Sequence, residues 1–275
     1  MGSLVFRIAG SGGGSSTCAD GSWVTGKVGS YALEFGGEDS GDYVSIPVGA
    51  STGSANGYSG SIAAWIYPTN YDNQETIYFH GDDQWDADWL RFRLHQDNGR
   101  LIFGHKVSAA LNWWQSSDAV TLNQWNHVAV TVGGATAGNH SNGDGATVKF
   151  YLNGTQSTTA SGRTWAAYWI NHLSNTKGHA LSSIGRHVSN PSGWGTTKNE
   201  FAGKIDEFGI WTEELNLGGI QALYNGGSGA ACSTVSSSYL EAYYNMEEGA
   251  GNGTLTDRTG NGHTGTLAGM NTGSC

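Results

Sequence analysis

Proline is almost missing from this chain, with three in 275 residues. Charge is scarce as well: Asp, Glu, Lys and Arg make up 13% of the residues, and the balance is acidic, at −10. A protein that neutralises phosphates needs a basic surface, so this balance argues against nucleic acid as a partner. No apolar run reaches the ~18 residues of a membrane helix, so no membrane insertion is expected. Leu4–Ala9 is too short for the apolar core of a signal peptide and contains Arg7. Export is therefore expected by another route, as for virion parts released by lysis, or with a leader already removed. The nine histidines are scattered and lack metalloprotease spacing. No Ser/His/Asp constellation stands out.

What the chain has in quantity is glycine and tryptophan, 44 and 11 residues. Glycine at roughly twice the usual ~7%, without a collagen period, marks many tight turns. Alternation supplies the rest. In Asn123–Gln156, Val128, Val130 and Val132 share one face of a strand, because strand side chains repeat every second residue. Val148, Phe150 and Leu152 share a face of the next, with Thr147, Lys149 and Tyr151 opposite. A Gly/Asn/Asp/Ser loop joins the two, and Asn153-Gly154 offers a positive-φ turn. Leu90, Phe92 and Leu94 alternate with Arg91, Arg93 and His95. Strand signals with turns at intervals of about a dozen residues are the pattern of a sandwich. Residues 107–118 read as a long polar loop carrying Trp113-Trp114, and 157–180 have no clear pattern. Asn216 should cap one short helix, Leu217–Tyr224, stopped by Gly226-Gly227.

At the N-terminus, Leu4, Phe6 and Ile8 alternate with Val5, Arg7 and Ala9, so 4–9 reads as a half-buried strand. The Gly/Ser run 11–17 behind it is a flexible tether. This arm, residues 1–17, is expected to add to a sheet edge, either on a neighbouring copy or folded back on its own domain.

The wording of several strands is more specific than their pattern. Trp125-x-His-Val-Ala-Val-Thr131 followed by Val148-x-Phe-Tyr-Leu-Asn-Gly154 resembles the centre of the laminin-G-like, or concanavalin-A-like lectin/glucanase, jelly roll. Tyr31–Gly37, Asp42–Pro47, Ser61–Pro68, Ser183–Arg186, Phe201–Trp211 and Leu215–Tyr224 agree with it in order. The resemblance implies an all-β fold, an antiparallel two-sheet jelly-roll sandwich spanning 18–275. The opening strands of that family are displaced here. Tyr239–Gly249 and Leu255–Leu267 resemble them but stand last, within 236–275. Either a second repeat is cut short, or the domain is circularly permuted or strand-exchanged.

The same resemblance frames the candidate sites. Glucanases of the fold carry Glu-x-Asp-x-x-Glu on one strand, and that spacing does not occur here, so no enzyme is expected. Asp206 and Glu207 are adjacent, which in a regular strand sends them to opposite faces. Jelly rolls of this kind often hold a structural Ca²⁺ on hard oxygen ligands, which here would be Asp206, Glu247 and Asp257. Equally, Asp206 could simply accept backbone hydrogen bonds. Aromatic faces stack on sugar rings while carboxylates and histidines fix hydroxyls, which selects His80, Asp82, Asp83, Trp85 and Trp89, with Trp113 and Trp114. The alternative is that these tryptophans roof the sandwich or line a subunit interface. If the tail supplies the family's first strands, Cys275 should arrive beside Cys18 for a disulfide, with Cys232 the competing thiol.

Two functions follow. One is a structural protein, extracellular or on a virion surface, whose copies assemble through the terminal arm. The other is a monomeric module or adhesin that binds cell-surface or extracellular glycans. A glycoside hydrolase is the least supported.

Overall fold

A computed structural model describes residues 22–47, 59–81, 89–107, 110–133, 147–161, 169, 181–187 and 199–270. The arm residues Leu4, Phe6 and Ile8, the cysteines Cys18 and Cys275, and Asp82, Asp83 and Trp85 lie outside the described residues.

The strands in chain order begin with β1 (Trp23–Thr25), β2 (Tyr31–Gly36), β3 (Tyr43–Ser45), β4 (Gly60–Pro68) and β5 (Thr76–Gly81). Next come β6 (Trp89–Leu94), β7 (Arg100–Val107), β8 (Ala110–Ala119), β9 (Asn126–Gly133) and β10 (Thr147–Leu152). β11 (Thr155–Ser157), β12 (Thr159–Ser161), β13 (Leu181–Ile184) and β14 (Ala202–Trp211) follow. After the helix α1 (Leu217–Tyr224) the tail adds β15 (Leu240–Tyr244), β16 (Thr254–Leu255) and β17 (Gly265–Ala268). Among the described residues the strand pairings are antiparallel, in an eight-stranded sheet β1-β2-β14-β4-β9-β10-β11, with β15 also on β14, and a nine-stranded sheet β12-β8-β7-β6-β5-β13-β3-β17-β16. No helix among the described residues is long and apolar enough to cross a membrane.

The β9–β10 hairpin carries the expected register. Val130 lies opposite Phe150 and Val132 opposite Val148. These four are buried in the core between the sheets with Val128, while Leu152 at the strand end is only partly buried. Leu90, Phe92, Leu101, Phe103 and Trp114 face the same core from the other sheet. Asn153, at φ 50, and Gly154, at φ 75, make the positive-φ turn read from the sequence. The Asn216 side chain accepts from the Gly219 N–H at 2.9 Å and so caps α1. At the other end Asn225, in a left-handed conformation, closes the helix one residue before the glycines.

The long loop expected over 107–118 is a correction: β8 occupies it, paired with β7 from Arg100↔Ala119 to Val107↔Ala110. Its inward positions include the polar Asn112 and Ser116, so the apolar alternation that reveals a strand is missing. Ser116 compensates by accepting the Leu101 N–H and donating to the Asp118 carbonyl.

The tail strands are built into this sandwich. β15 pairs with β14 over Phe208–Trp211, end to end with β2, which takes Ala202–Ile205 on the same edge. β17 pairs with β3, and Trp23 Nε1 donates to the Asn252 carbonyl at 3.2 Å. The chain between β14 and β15 covers the outer side of the eight-stranded sheet. There Leu215, Ile220, Leu223, Cys232 and Val235 pack on Ala63, Ala129, Tyr151 and Trp211 in a second apolar cluster.

Candidate functional site

Strands β5 to β8 present every second residue to the outer side of the nine-stranded sheet. Register aligns Ser183, Phe79, Arg91, Gly104 and Trp113 in one row across it. Trp89 and Lys106 form the row on one side, and Arg93, Ile102 and Gln115 the row on the other. Phe79 and Arg91 are a buried floor, at 1% and 7% exposure, whereas Trp89, Arg93, Lys106, Trp113 and Gln115 are half-buried around it. A Cβ at Gly104 would stand 3.5 Å from Trp89 and 3.8 Å from Trp113, so the missing side chain leaves a shallow gap between the two indoles.

His187 locks the floor. Its ring lies 4.3 Å from the Phe79 ring and 6.0 Å from Trp89. Arg91 donates from Nη1 to His187 Nδ1 at 3.2 Å and from Nη2 to Gln74 Oε1, with its guanidinium 5.5 Å from the Trp89 ring. Burial lowers the His187 pKa to about 3, helped by the charges of Arg91, Arg93 and Arg186. The imidazole is therefore neutral, and Nδ1 can serve as an acceptor. Arg186 stands over the Tyr43 ring at 5.3 Å and pairs with Glu200 at 3.3 Å. Arg93 has a different environment. It donates to the Leu94 carbonyl at 3.0 Å, and burial lowers its pKa to about 10. The arrangement is an aromatic and guanidinium surface rich in hydrogen-bond donors. Such a surface can stack on the C–H face of a sugar and donate to its oxygens.

Of the described residues among those selected from the sequence, Trp89 and Trp113 reach this surface. His80 is fully buried, in register with Leu90 on the inner face, and is corrected to an interior position. Trp114 likewise points inward, 6.2 Å from the Phe103 ring and 5.4 Å from His105. Arg91 and Arg93 were visible as the polar side of β6, but His187 and Gln74 were not selected. His187 directly follows the Ser183–Arg186 motif, and that was the one available signal.

The carboxylates proposed for calcium have other partners. Asp206 Oδ2 accepts the N–H groups of Lys27 and Val28 at 2.8 and 2.9 Å, and Oδ1 accepts that of Glu207. Glu247 accepts from the Ser30 and Tyr31 N–H groups, and Asp257 from Tyr243, Thr259 and His263. Among the described residues no three or more His, Cys, Asp or Glu are grouped to hold a metal. Asp206 and Glu247 thus both turn oxygens to the N–H groups of the one β1–β2 turn, while Asp257 is held by the tail.

The opposite-face expectation for Asp206 and Glu207 also fails, for a local reason. Glu207 adopts φ 50, and the β14–β4 register shifts between Asp206 and Gly209. This bulge adds a residue, so Ile205 and Phe208 both face the core while Asp206 and Glu207 both lie off it, buried. Glu207 accepts from the Tyr243 hydroxyl at 2.6 Å, and the Cys232 thiol donates to the Glu207 carbonyl at 3.4 Å. Burial raises both carboxyls to about 7. The pair belongs to the covered side of the sandwich and joins the β1–β2 turn to the strand behind it.

A family model described as the concanavalin A-like lectin/glucanases superfamily matches residues 36–221. No curated protein matches the sequence. Among solved structures, a Bacteroides ovatus protein described as carbohydrate binding is similar at 17% identity and a TM-score of 0.55, over 87% of this chain and 58% of that one. This chain therefore spans less than two thirds of that protein. A heptameric SAP-like pentraxin from Limulus polyphemus gives 14% identity and a TM-score of 0.48, over 86% of this chain and 93% of that one. Domains LG4-5 of the mouse laminin alpha1 chain give 13% and 0.44, over 77% and 48%. At these identities the likeness is one of fold.

Proposed function

Because the chain belongs to the concanavalin A-like lectin/glucanase superfamily, we propose that it is a non-enzymatic carbohydrate-binding module. In this reading it binds glycans on the outer side of the nine-stranded sheet, in an extracellular or virion-surface setting. The observation that carries the reading is the Trp89–Arg91–His187 cluster beside the gap at Gly104, with Trp113 on the far rim. Two half-buried indoles on one face offer the stacking surface that a pyranose needs, and the fixed guanidinium and imidazole supply orientation. The description of the Bacteroides ovatus protein points the same way.

Self-assembly through the arm is the second reading, and it has less support from the edges available. Among the described residues the sheets end in β1, β11, β12 and β16, each of two or three residues, which offer few groups to an added strand, and β15, of five residues, is the one longer strand paired on a single side.

A glycan array probed with the purified full chain tests the first reading. Binding is expected, and Trp89→Ala should weaken it about tenfold or more, as loss of an aromatic anchor does. An empty array, or Trp89→Ala binding like the parent, would overturn it.

A further inference from the structure

Among the described residues the donors on this face outnumber the acceptors, and one donor is charged without a charged partner. Arg91 spends two of its N–H groups on His187 and Gln74, and Arg186 is neutralised by Glu200. Arg93 has only the Leu94 carbonyl among the described residues. In the same row but two strands away, across Ile102, Gln115 Nε2 is buried without a hydrogen-bond partner among the described residues, and Trp89 Nε1, two rows along β6, is in the same condition. A guanidinium withdrawn from water and left without a counter-charge is costly, so this surface is most stable against something that brings negative charge and acceptor oxygens. The shift of Arg93 below the usual arginine value, caused by burial, is what that situation produces.

Resting on the glycan reading above, we propose that the ligand is an acidic glycan, one bearing a carboxylate or a sulfate ester, and that Arg93 is the residue that meets its anionic group. Trp89 and Trp113 then take the neutral part of the sugar. Gln115 Nε2, two strands away in the same row, donates to another oxygen of the same glycan. The planar fork of Arg93 suits a carboxylate or sulfate better than an ammonium would, because it can give two parallel N–H bonds.

The test uses an array printed with matched oligosaccharides in neutral, sulfated and carboxylate-bearing forms, with titrations of the best pair in solution. Acidic forms should bind about tenfold or more tightly than their neutral parents, the size of one charge-assisted hydrogen bond. In Arg93→Gln the acidic-to-neutral ratio should fall toward one, and Arg93→Lys should restore part of it. Whether the sulfated or carboxylate arm responds identifies the source of the charge. Added salt offers a check that needs no variant: affinity for the acidic form should drop while that for its neutral parent stays level. Equal binding of neutral and acidic forms would overturn the proposal while leaving the glycan reading intact. An array with no binding would remove both.

Discussion

On the outer side of the eight-stranded sheet Asp206 and Glu207 are buried, Asp206 with every oxygen given to a backbone N–H and Glu207 against Cys232 and Tyr243. On the outer side of the nine-stranded sheet, Arg91, Arg93, Trp89 and Trp113 carry no helix or second sheet among the described residues. Both faces hold charged side chains, yet they treat them oppositely. The first satisfies its acids internally and closes over them. The second fixes one arginine on a histidine and leaves donors facing outward. Burial of polar groups that are fully partnered builds structure, whereas donors that are positioned but not partnered build a site.

The sharpest test of that contrast is paired truncation. Trp211→Ala, on the covered face, removes a fully buried indole whose Nε1 donates to the Val235 carbonyl at 3.0 Å. It should cost about 3–5 kcal/mol in chemical denaturation. Trp113→Ala, on the half-exposed face, should cost about 1–2 kcal/mol, because less area returns to water. Equal losses would mean that the two faces are not differently covered.

A smaller effect concerns protons. Asp206 and Glu207 are raised to about 7, and Glu75, whose carboxylate accepts the Ala202 N–H at 2.5 Å, to about 8, each chiefly by burial. Their folded values exceed the unfolded ones, so the folded state takes up protons first as pH falls. Stability should rise from pH 8.5 to 6.5, on the order of 1–2 kcal/mol. Below 6.5 the gain should flatten. His127 and His187 are lowered to about 3 by burial, and the unfolded chain then binds protons that the folded one refuses. Thermal melts across that range read the slope, and Asp206→Asn should reduce it. A slope of the opposite sign would mean that the covered carboxylates are ionised.

How far these faces were legible in the sequence depends on what each residue had to reveal. The β9–β10 core, the Asn216-capped helix and the Arg91/Arg93 side of β6 followed from alternation and capping chemistry, which act locally. The covering of Asp206 and Glu207 did not, because it depends on a left-handed residue at Glu207, where nothing but tertiary packing demands a bulge. The inward turn of His80 and Trp114 was hidden for a related reason. A polar or aromatic residue in a strand has no preferred side until its neighbours are known, and the register with Leu90 and Phe103 supplies that. His187 joined the site from 96 positions away from Arg91, a distance no spacing rule spans.

The central claim is that glycans contact the nine-stranded sheet and not the covered face. Fluorine NMR of the chain labelled with 5-fluorotryptophan, titrated with the glycan that binds best on the array, tests it most directly. Assigned by single Trp→Phe variants, the Trp89 and Trp113 resonances should move with ligand while those of Trp65 and Trp211 stay fixed. Movement of Trp65 and Trp211 with Trp89 and Trp113 unchanged would contradict it.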